Sequence, residues 1–355
     1  MSSVLALALL WHSDAAQIKP VELSRKFTLG EKLNYFARAQ FTDEERGGNL
    51  QTFIPTNEEI NYHYTMMVQK VKADGVAEVL YQRPSMSIVV GDTAESSAKT
   101  MVEKLDLKYL LDISPINKIV SEKDLNPKKP KGKEKDGFAK PSRILSLLRQ
   151  GTQTDGVAYG LLLNFVGEIQ RLAFFVGPVD SGLDIAPKFS FDEVSVGSTW
   201  KETVGYSPQK LKGQGEKQAV QRIDYTYTYQ GIVKNKDGKD VHRVQAVAKL
   251  DTDLIDYARQ LVGGQSSSSM FKSVPLKFDA KIDFDLEMRT YHMLKASAES
   301  SGSFALVIKG VEQPYIEDRF KGRTSVKLEG RSLGAVPAAT PKKTIPAKKG
   351  KGGKH

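Results

Sequence analysis

Leu276–Met288 reads LKFDAKIDFDLEM, and its alternation decides the fold. Leu276, Phe278, Ala280, Ile282, Phe284, Leu286 and Met288 alternate without a break with Lys277, Asp279, Lys281, Asp283, Asp285 and Glu287. A period of two is that of a β-strand with one face buried and the other wet. At about 3.3 Å per residue the stretch would extend roughly 43 Å, long for a strand. Strands of that length and one-sidedness belong to strongly curved antiparallel sheets or half-barrels. SFALVIKG (303–310), TSVKLEG (324–330) and LDLKYLLDI (105–113) continue the pattern, and Ser114–Asn117 turns the last of these into Lys118-Ile119-Val120.

Outward from that strand, one motif occurs twice. Residues 60–65 read INYHYT and residues 223–228 read IDYTYT. Ten residues after the second Tyr of each comes Asp-Gly, so Ile60, Tyr62, Tyr64, Thr65, Asp74 and Gly75 recur at one offset of 163 residues. FTLGEKLNY (27–35) is echoed more faintly by EVSVGSTWKE (193–202). Order repeated at a fixed offset reads as a duplicated β unit. Each unit is a hairpin in which Asp-Gly supplies the positive φ of a tight turn. The return strands are Val76–Gln82 and Val241–Leu250.

Helical spacing is rarer. Leu162, Phe165, Val166, Ile169, Leu172, Ala173 and Val176 fall on one face of Ala158–Val176, which Gly177-Pro178 closes. That predicts a buried helix around 158–176 in the concavity of the sheet. Ser142 is placed to cap RILSLLRQ, and Thr252 or Asp253 to cap LIDYARQLV (254–262). The expected class is therefore mainly β (α+β), with curved antiparallel sheets or a half-barrel built from two repeated units.

The 355 residues carry a formal net charge of +10 and no cysteine. Arg331–His355 holds +7 with no acid, and Lys123–Arg143 holds +5, leaving −2 for the rest. A basic nucleic-acid-binding face within the fold is thereby disfavoured. The Pro, Gly and Lys content of both segments is that of solvated chain. Lys342, Lys343, Lys348, Lys349, Lys351 and Lys354 are the candidate tether to an anionic envelope polymer. Without Cys there is no disulfide, thiolate metal site, cysteine nucleophile or lipidated N-terminal cysteine. The run VLALALLW (4–11) is too short to span a bilayer and suits a signal-peptide core, though no Lys or Arg precedes it. The expected division is 1–16 signal peptide, 17–122 first β repeat, 123–143 Lys-rich loop, 144–330 helix plus second repeat, and 331–355 disordered tail.

Catalytic patterns are scarce. His63, His242 and His292 lack a second ligand at metal spacing. Ser96/Lys99 and Ser269/Lys272 match Ser-x-x-Lys without its companion motifs, and no nucleophile elbow, phosphate loop or dinucleotide fingerprint occurs. Tyr62, Tyr64, Tyr225 and Tyr227 suit the inner face of core strands better than a stacking site for bases or sugars.

Leu29-Gly30, Val196–Trp200, the hairpin Asp74–Ala77 and the strand–turn element Leu111–Val120 together resemble bacterial secreted or envelope β-rich proteins of unknown function with duplicated β units. The resemblance implies no activity, catalytic residue or cofactor. The expected function is a non-enzymatic, secreted or periplasmic scaffold that binds a lipid, another hydrophobic ligand or a protein partner. Leu162, Phe165, Ile169, Phe278, Ile282 and Phe284 are its candidate ligand-facing residues. The competing readings are a structural or adhesion module held by the basic tail and an unrecognised hydrolase. No cofactor, sequence-specific nucleic acid or membrane-spanning segment is expected.

Overall fold

The computed structural model describes residues 19–47, 52–92, 99–125, 174–175, 185–206, 221–256 and 271–334. Period-two sequences here all become strands of one sheet. Five form an antiparallel meander: β1 (Glu31–Gly47), β2 (Ile54–Val71), β3 (Ala77–Asp92), β4 (Lys99–Ile113) and β5 (Ile119–Asp124). The second half adds β6 (Thr199–Tyr206), β7 (Gln221–Lys234), β8 (Asp240–Asp253), β9 (Phe271–Ser273), β10 (Pro275–Leu286), β11 (Met293–Ile308) and β12 (Ile316–Leu333). The order is β5-β4-β3-β2-β1-β12-β11-β10-β8-β7-β6, with β9 paired to β11. The halves thus join at β1 and β12, in register from Glu31↔Leu333 to Gly47↔Ile316. The sequence segments read as separate repeats share one continuous sheet.

Alternation puts one face of every long strand into the core. In β1, Leu33, Tyr35, Ala37, Ala39 and Phe41 are buried, and in β10 so are Leu276, Phe278, Ala280, Ile282 and Phe284. The opposite face of β10 carries its charges, paired across strands: Asp285 with Arg243 at 2.7 Å, Asp283 with Gln245 at 2.8 Å and Lys277 with Asp251 at 3.2 Å. The strand ends at Leu286 because Glu287–Tyr291 turns the chain, with Tyr291 N–H donating to Glu287 O at 3.0 Å.

Both Asp-Gly sites are hairpin turns, of a different type from a doubly left-handed pair. Gly75 and Gly238 have φ of 80° and 75°, whereas neither aspartate has positive φ. Gly75 N–H bonds Lys72 O, Lys72 N–H bonds Val76 O, and Gly238 and Asn235 repeat both bonds. This is a type I turn followed by a left-handed glycine that bulges into the returning strand. Asn117 takes φ 61° in the Ser114–Lys118 turn, where Asn tolerates the left-handed region.

The sheet is open, since β5 and β6 do not pair, yet it bends until these edges nearly meet at the end bearing the tight turns. There Lys118, just before β5, reaches Glu202 of β6 at 2.8 Å. Residues 185–194 run between the edges: Phe189 N–H donates to Ile116 O at 3.0 Å, and Trp200 Nε1 donates to Lys188 O at 2.8 Å.

The buried helix expected around 158–176 is not found. Residues 158–173 and 176 lie outside the described residues, and Phe174–Phe175 form a turn in which Phe175 has φ 56°, incompatible with a continuing helix. Helical structure among the described residues is confined to Ile255–Asp256, capped by Asp253, whose Oδ1 accepts from Ile255 N–H at 2.9 Å. β12 continues through Leu333, so Arg331 belongs to the sheet and not to the tail. The RILSLLRQ helix, the leader, and the tail lysines Lys342, Lys343, Lys348, Lys349, Lys351 and Lys354 lie outside the described residues.

Candidate functional site

The concave, inner face of the sheet has a small-residue floor between two aromatic walls. Across the middle strands the inward positions Gly322, Ser300, Ala280 and Ala248 stand in one row, each opposite the next. The adjoining row runs Ala39, Thr324, Ala298, Ile282 and Ala246. These short side chains leave a trough in which another group can approach the sheet backbone closely. Phe174 takes one such seat: its ring stacks on Phe41 at 4.4 Å, meets Phe320 edge-on at 5.9 Å, and its carbonyl accepts from Thr324 Oγ1 at 2.7 Å. Gly322 is required below it, because a Cβ there would lie 2.4 Å from both Gln40 O and Phe41 Cβ.

On one side, Tyr35 and Tyr64 stack at 5.0 Å and Tyr64 and Tyr81 at 5.4 Å, with Tyr109 directly opposite Tyr81. On the other, Trp200 stacks on Tyr227 at 5.5 Å and Tyr225 on Tyr227 at 5.9 Å. Of the residues expected to face a ligand, Phe278, Ile282 and Phe284 do point inward. Phe278 lies 6.3 Å from Phe175, while Ile282 and Phe284 sit opposite Ala298 and Ala296. Leu162, Phe165 and Ile169 lie outside the described residues.

Arg83, like the buried acids Asp43, Glu45 and Asp318, is an inner-face residue that the motif reading passed over. It is 3% exposed, and its guanidinium carbon lies 4.7 Å from the centre of the Tyr62 ring. The sequence carried a signal for it, since Ala77, Val79, Tyr81 and Arg83 share one parity.

The tight-turn end is sealed by buried polar groups. Glu31 and His292 are each 1% exposed, with Glu31 Oε2 2.9 Å from His292 Nε2. Arg25 Nε donates to His292 Nδ1 at 3.1 Å, which places the neutral ring's proton on Nε2. Arg331 Nε reaches Glu31 at 2.5 Å and its NH1 reaches Glu287 at 3.0 Å. Burial opposes the Glu31 charge, but the His292 hydrogen bond and the nearby Arg331 outweigh it and hold the pKa below the usual range. Burial lowers the His292 pKa despite Glu31, and Arg25 adds to the lowering. A His–carboxylate pair is general-base equipment; here both ring nitrogens face charged neighbours, Arg25 at Nδ1 and Glu31 at Nε2.

His242 is likewise a satisfied core histidine. Tyr229 Oη lies 2.8 Å from its Nδ1. Burial lowers the His242 pKa, partly offset by a hydrogen bond to the Met288 backbone. Burial pushes Tyr229 up to about 12. His63 stands on the outer face, 3.3 Å from Glu329. Of the two Ser-x-x-Lys pairs, Ser96 and Ser269 lie outside the described residues.

A groove of about 800 Å³ crosses the outer face between Gln40, Asn57, Glu59, Glu299 and Arg323. Its charges are mutually engaged, Arg38 with Glu59 at 2.7 Å and Arg323 with Glu299 at 3.2 Å. Among the described residues no cluster of three or more His, Asp or Glu could hold a metal, and no helix is long and apolar enough to cross a membrane.

No family model and no curated protein matches this chain. A solved structure described as "Lipid-protein interactions in lipovitellin" aligns over 89% of this chain and 26% of its own, at 12% identity and a TM-score of 0.40. This chain spans about a quarter of that protein, and likeness at that level carries no argument.

Proposed function

We propose that the protein is a non-enzymatic binding protein that holds a hydrophobic ligand against the inner face of its curved sheet. The observation that carries this reading is the trough: a floor of Ala, Gly and Ser flanked by aromatic walls, on a sheet of twelve strands. A curved sheet that wide with a floor of short side chains needs further apolar matter against its inner face. Phe174 supplies some of it, and the ligand supplies more. Export is part of the proposal and rests on residues 4–11; an internal duplication is part of it too, and rests on the INYHYT and IDYTYT motifs and on the pairs Thr65↔Gln82 and Thr228↔Gln245 at the same offset of 163 residues.

The test is native mass spectrometry, with organic-solvent extraction, of protein purified from its host. A co-purifying lipid or other apolar molecule of constant stoichiometry is expected. Protein that arrives ligand-free, and that leaves a fluorescent apolar probe in solution, would overturn the reading.

A further inference from the structure

The tyrosine strand and its return strand carry an inward cation in the first half, Arg83, that their counterparts in the second half lack. At the offset that relates the tyrosine pairs, Arg83 corresponds to Ala246. Opposite Tyr225 and Tyr227 stand Ala248 and Ala246, so the strand architecture itself does not call for a charge at this place. Around Arg83 the ladder is broken in three adjacent strands. Pro84 has no N–H to donate, and the β3–β4 register shifts between Arg83 and Ser85. The β2–β3 pairing is irregular between Asn61 and Thr65, and Asp106 of β4 adopts φ 50°. The shift changes which positions face inward: Tyr81 and Arg83 before it, Met86 and Ile88 after it. Bulges that re-aim a side chain and non-glycine residues in left-handed backbone are features proteins concentrate at working sites.

The chemistry gathered there is that of an anion receptor. The Arg83 guanidinium lies over the Tyr62 ring at 4.7 Å and hydrogen-bonds to Tyr62, and Tyr81, two residues before it on the same face, stands opposite Tyr109. A guanidinium presents a planar fork of donors that matches a carboxylate or phosphate, and it keeps its charge at any physiological pH. A phenol that accepts from a guanidinium is polarised into a stronger donor towards a third group. Beside this cluster lie Ile60, Met86 and Ile88, all buried and apolar.

We propose that Arg83, with the hydroxyls of Tyr62, Tyr81 and Tyr109, receives the anionic head of an amphiphile whose hydrocarbon tail lies on the apolar inner face. The ligand class is a long-chain carboxylate or phosphate monoester. This deepens the hydrophobic-ligand reading and rests on it.

The experiment uses the full chain, stripped of bound lipid, with cis-parinaric acid and its methyl ester as paired fluorescent probes. Charged hydrogen bonds predict that the acid binds at least about tenfold tighter than the ester. Arg83→Met should lower the acid's affinity at least about fivefold more than the ester's, and Arg83→Lys should keep part of the preference. If Arg83→Met fails to fold, judged by circular dichroism, Arg83→Lys and Tyr109→Phe carry the comparison, each expected to reduce the acid-to-ester ratio. Competition then names the head: displacement by oleate points to a carboxylate and displacement by lysophosphatidate to a phosphate. Monoolein displacing the acid as well as either anion would overturn the proposal. An acid-to-ester ratio unchanged by the substitutions would overturn it too, while leaving the hydrophobic-ligand reading intact. Failure of both probes to bind would remove that reading as well.

Discussion

Tyr62 and Tyr64 in β2 and Tyr225 and Tyr227 in β7 have the same spacing, the same inward register and nearly the same burial, yet they are backed by different neighbours. Behind the β2 pair stand Tyr81 and the Arg83 guanidinium; behind the β7 pair stand Ala246 and Ala248. In each half the second tyrosine stacks on an aromatic of the next strand, Tyr35 at 5.0 Å or Trp200 at 5.5 Å, with the same interplanar angle of 13°. A period-two strand therefore settles which residues face inward, and the partner strand settles what that face can do. One wall is polar at its tips and cationic; the other is a wholly neutral shelf.

The comparison holds only while both halves share one sheet, and their joint is the place to break it. Glu31 opens β1, and its partners come from β12 and the β10–β11 turn. Glu31→Ala should cost about 3–5 kcal/mol, because it leaves Arg331 and the His292 ring facing a vacancy at the buried end. The loss should appear as a lower urea midpoint.

Gly322→Val attacks the same joint from the inner face, where the added carbons meet the β1 backbone. A cost of about 1–3 kcal/mol is expected from overpacking, with weakened protection of β1 and β12 amides in hydrogen exchange.

Tyr64→Leu and Tyr227→Leu compare the two walls directly. Each removes a ring stacked on two neighbours and should lower stability by about 1–2 kcal/mol. The double variant should be additive within about 0.5 kcal/mol if the walls act independently. A marked excess in thermal denaturation would show them coupled through what fills the trough.

The smallest effect is a pH dependence. His292 and His242 have folded pKa values below the ordinary 6.5, so their contribution is complete above that value. It is lost as pH falls through 6.5 towards the folded values, since the unfolded chain takes up protons first. Glu31, held below its ordinary 4.5, adds a second loss at lower pH. Urea midpoints should fall between pH 7.5 and pH 5, and His292→Gln should flatten part of that slope.

Alternation made the sheet legible. Leu276–Met288 differs from β10 by two residues at its end, because Glu287 and Met288 belong equally well to a strand or to the turn that Thr290 and Tyr291 complete. The turns at Asp74-Gly75, Ser114–Asn117 and Asp237-Gly238 were legible for a local reason: each depends on one residue that tolerates left-handed backbone. The Ala158–Val176 spacing misled where it can be checked, since Phe174 and Phe175 answer to the trough and not to a helix axis. Which strands lie side by side was not legible, because β1 meets β12 across nearly the whole chain and no local pattern encodes that pairing. The Glu31–His292–Arg25 cluster was hidden for the same reason, its members separated by up to 267 residues.

The meeting of β5 with β6 has a consequence for how the molecule loosens. Every other neighbouring pair of strands in the sheet is joined by backbone pairing, whereas these edges are tied by the Lys118–Glu202 ion pair and the hydrogen bonds of residues 185–194. A closure made of side chains and a strap can part without any ladder being lost. A widening of the arc at that seam is therefore an opening that leaves every strand pairing intact, like a split ring sprung open. Such a ring changes its bore while keeping its wall.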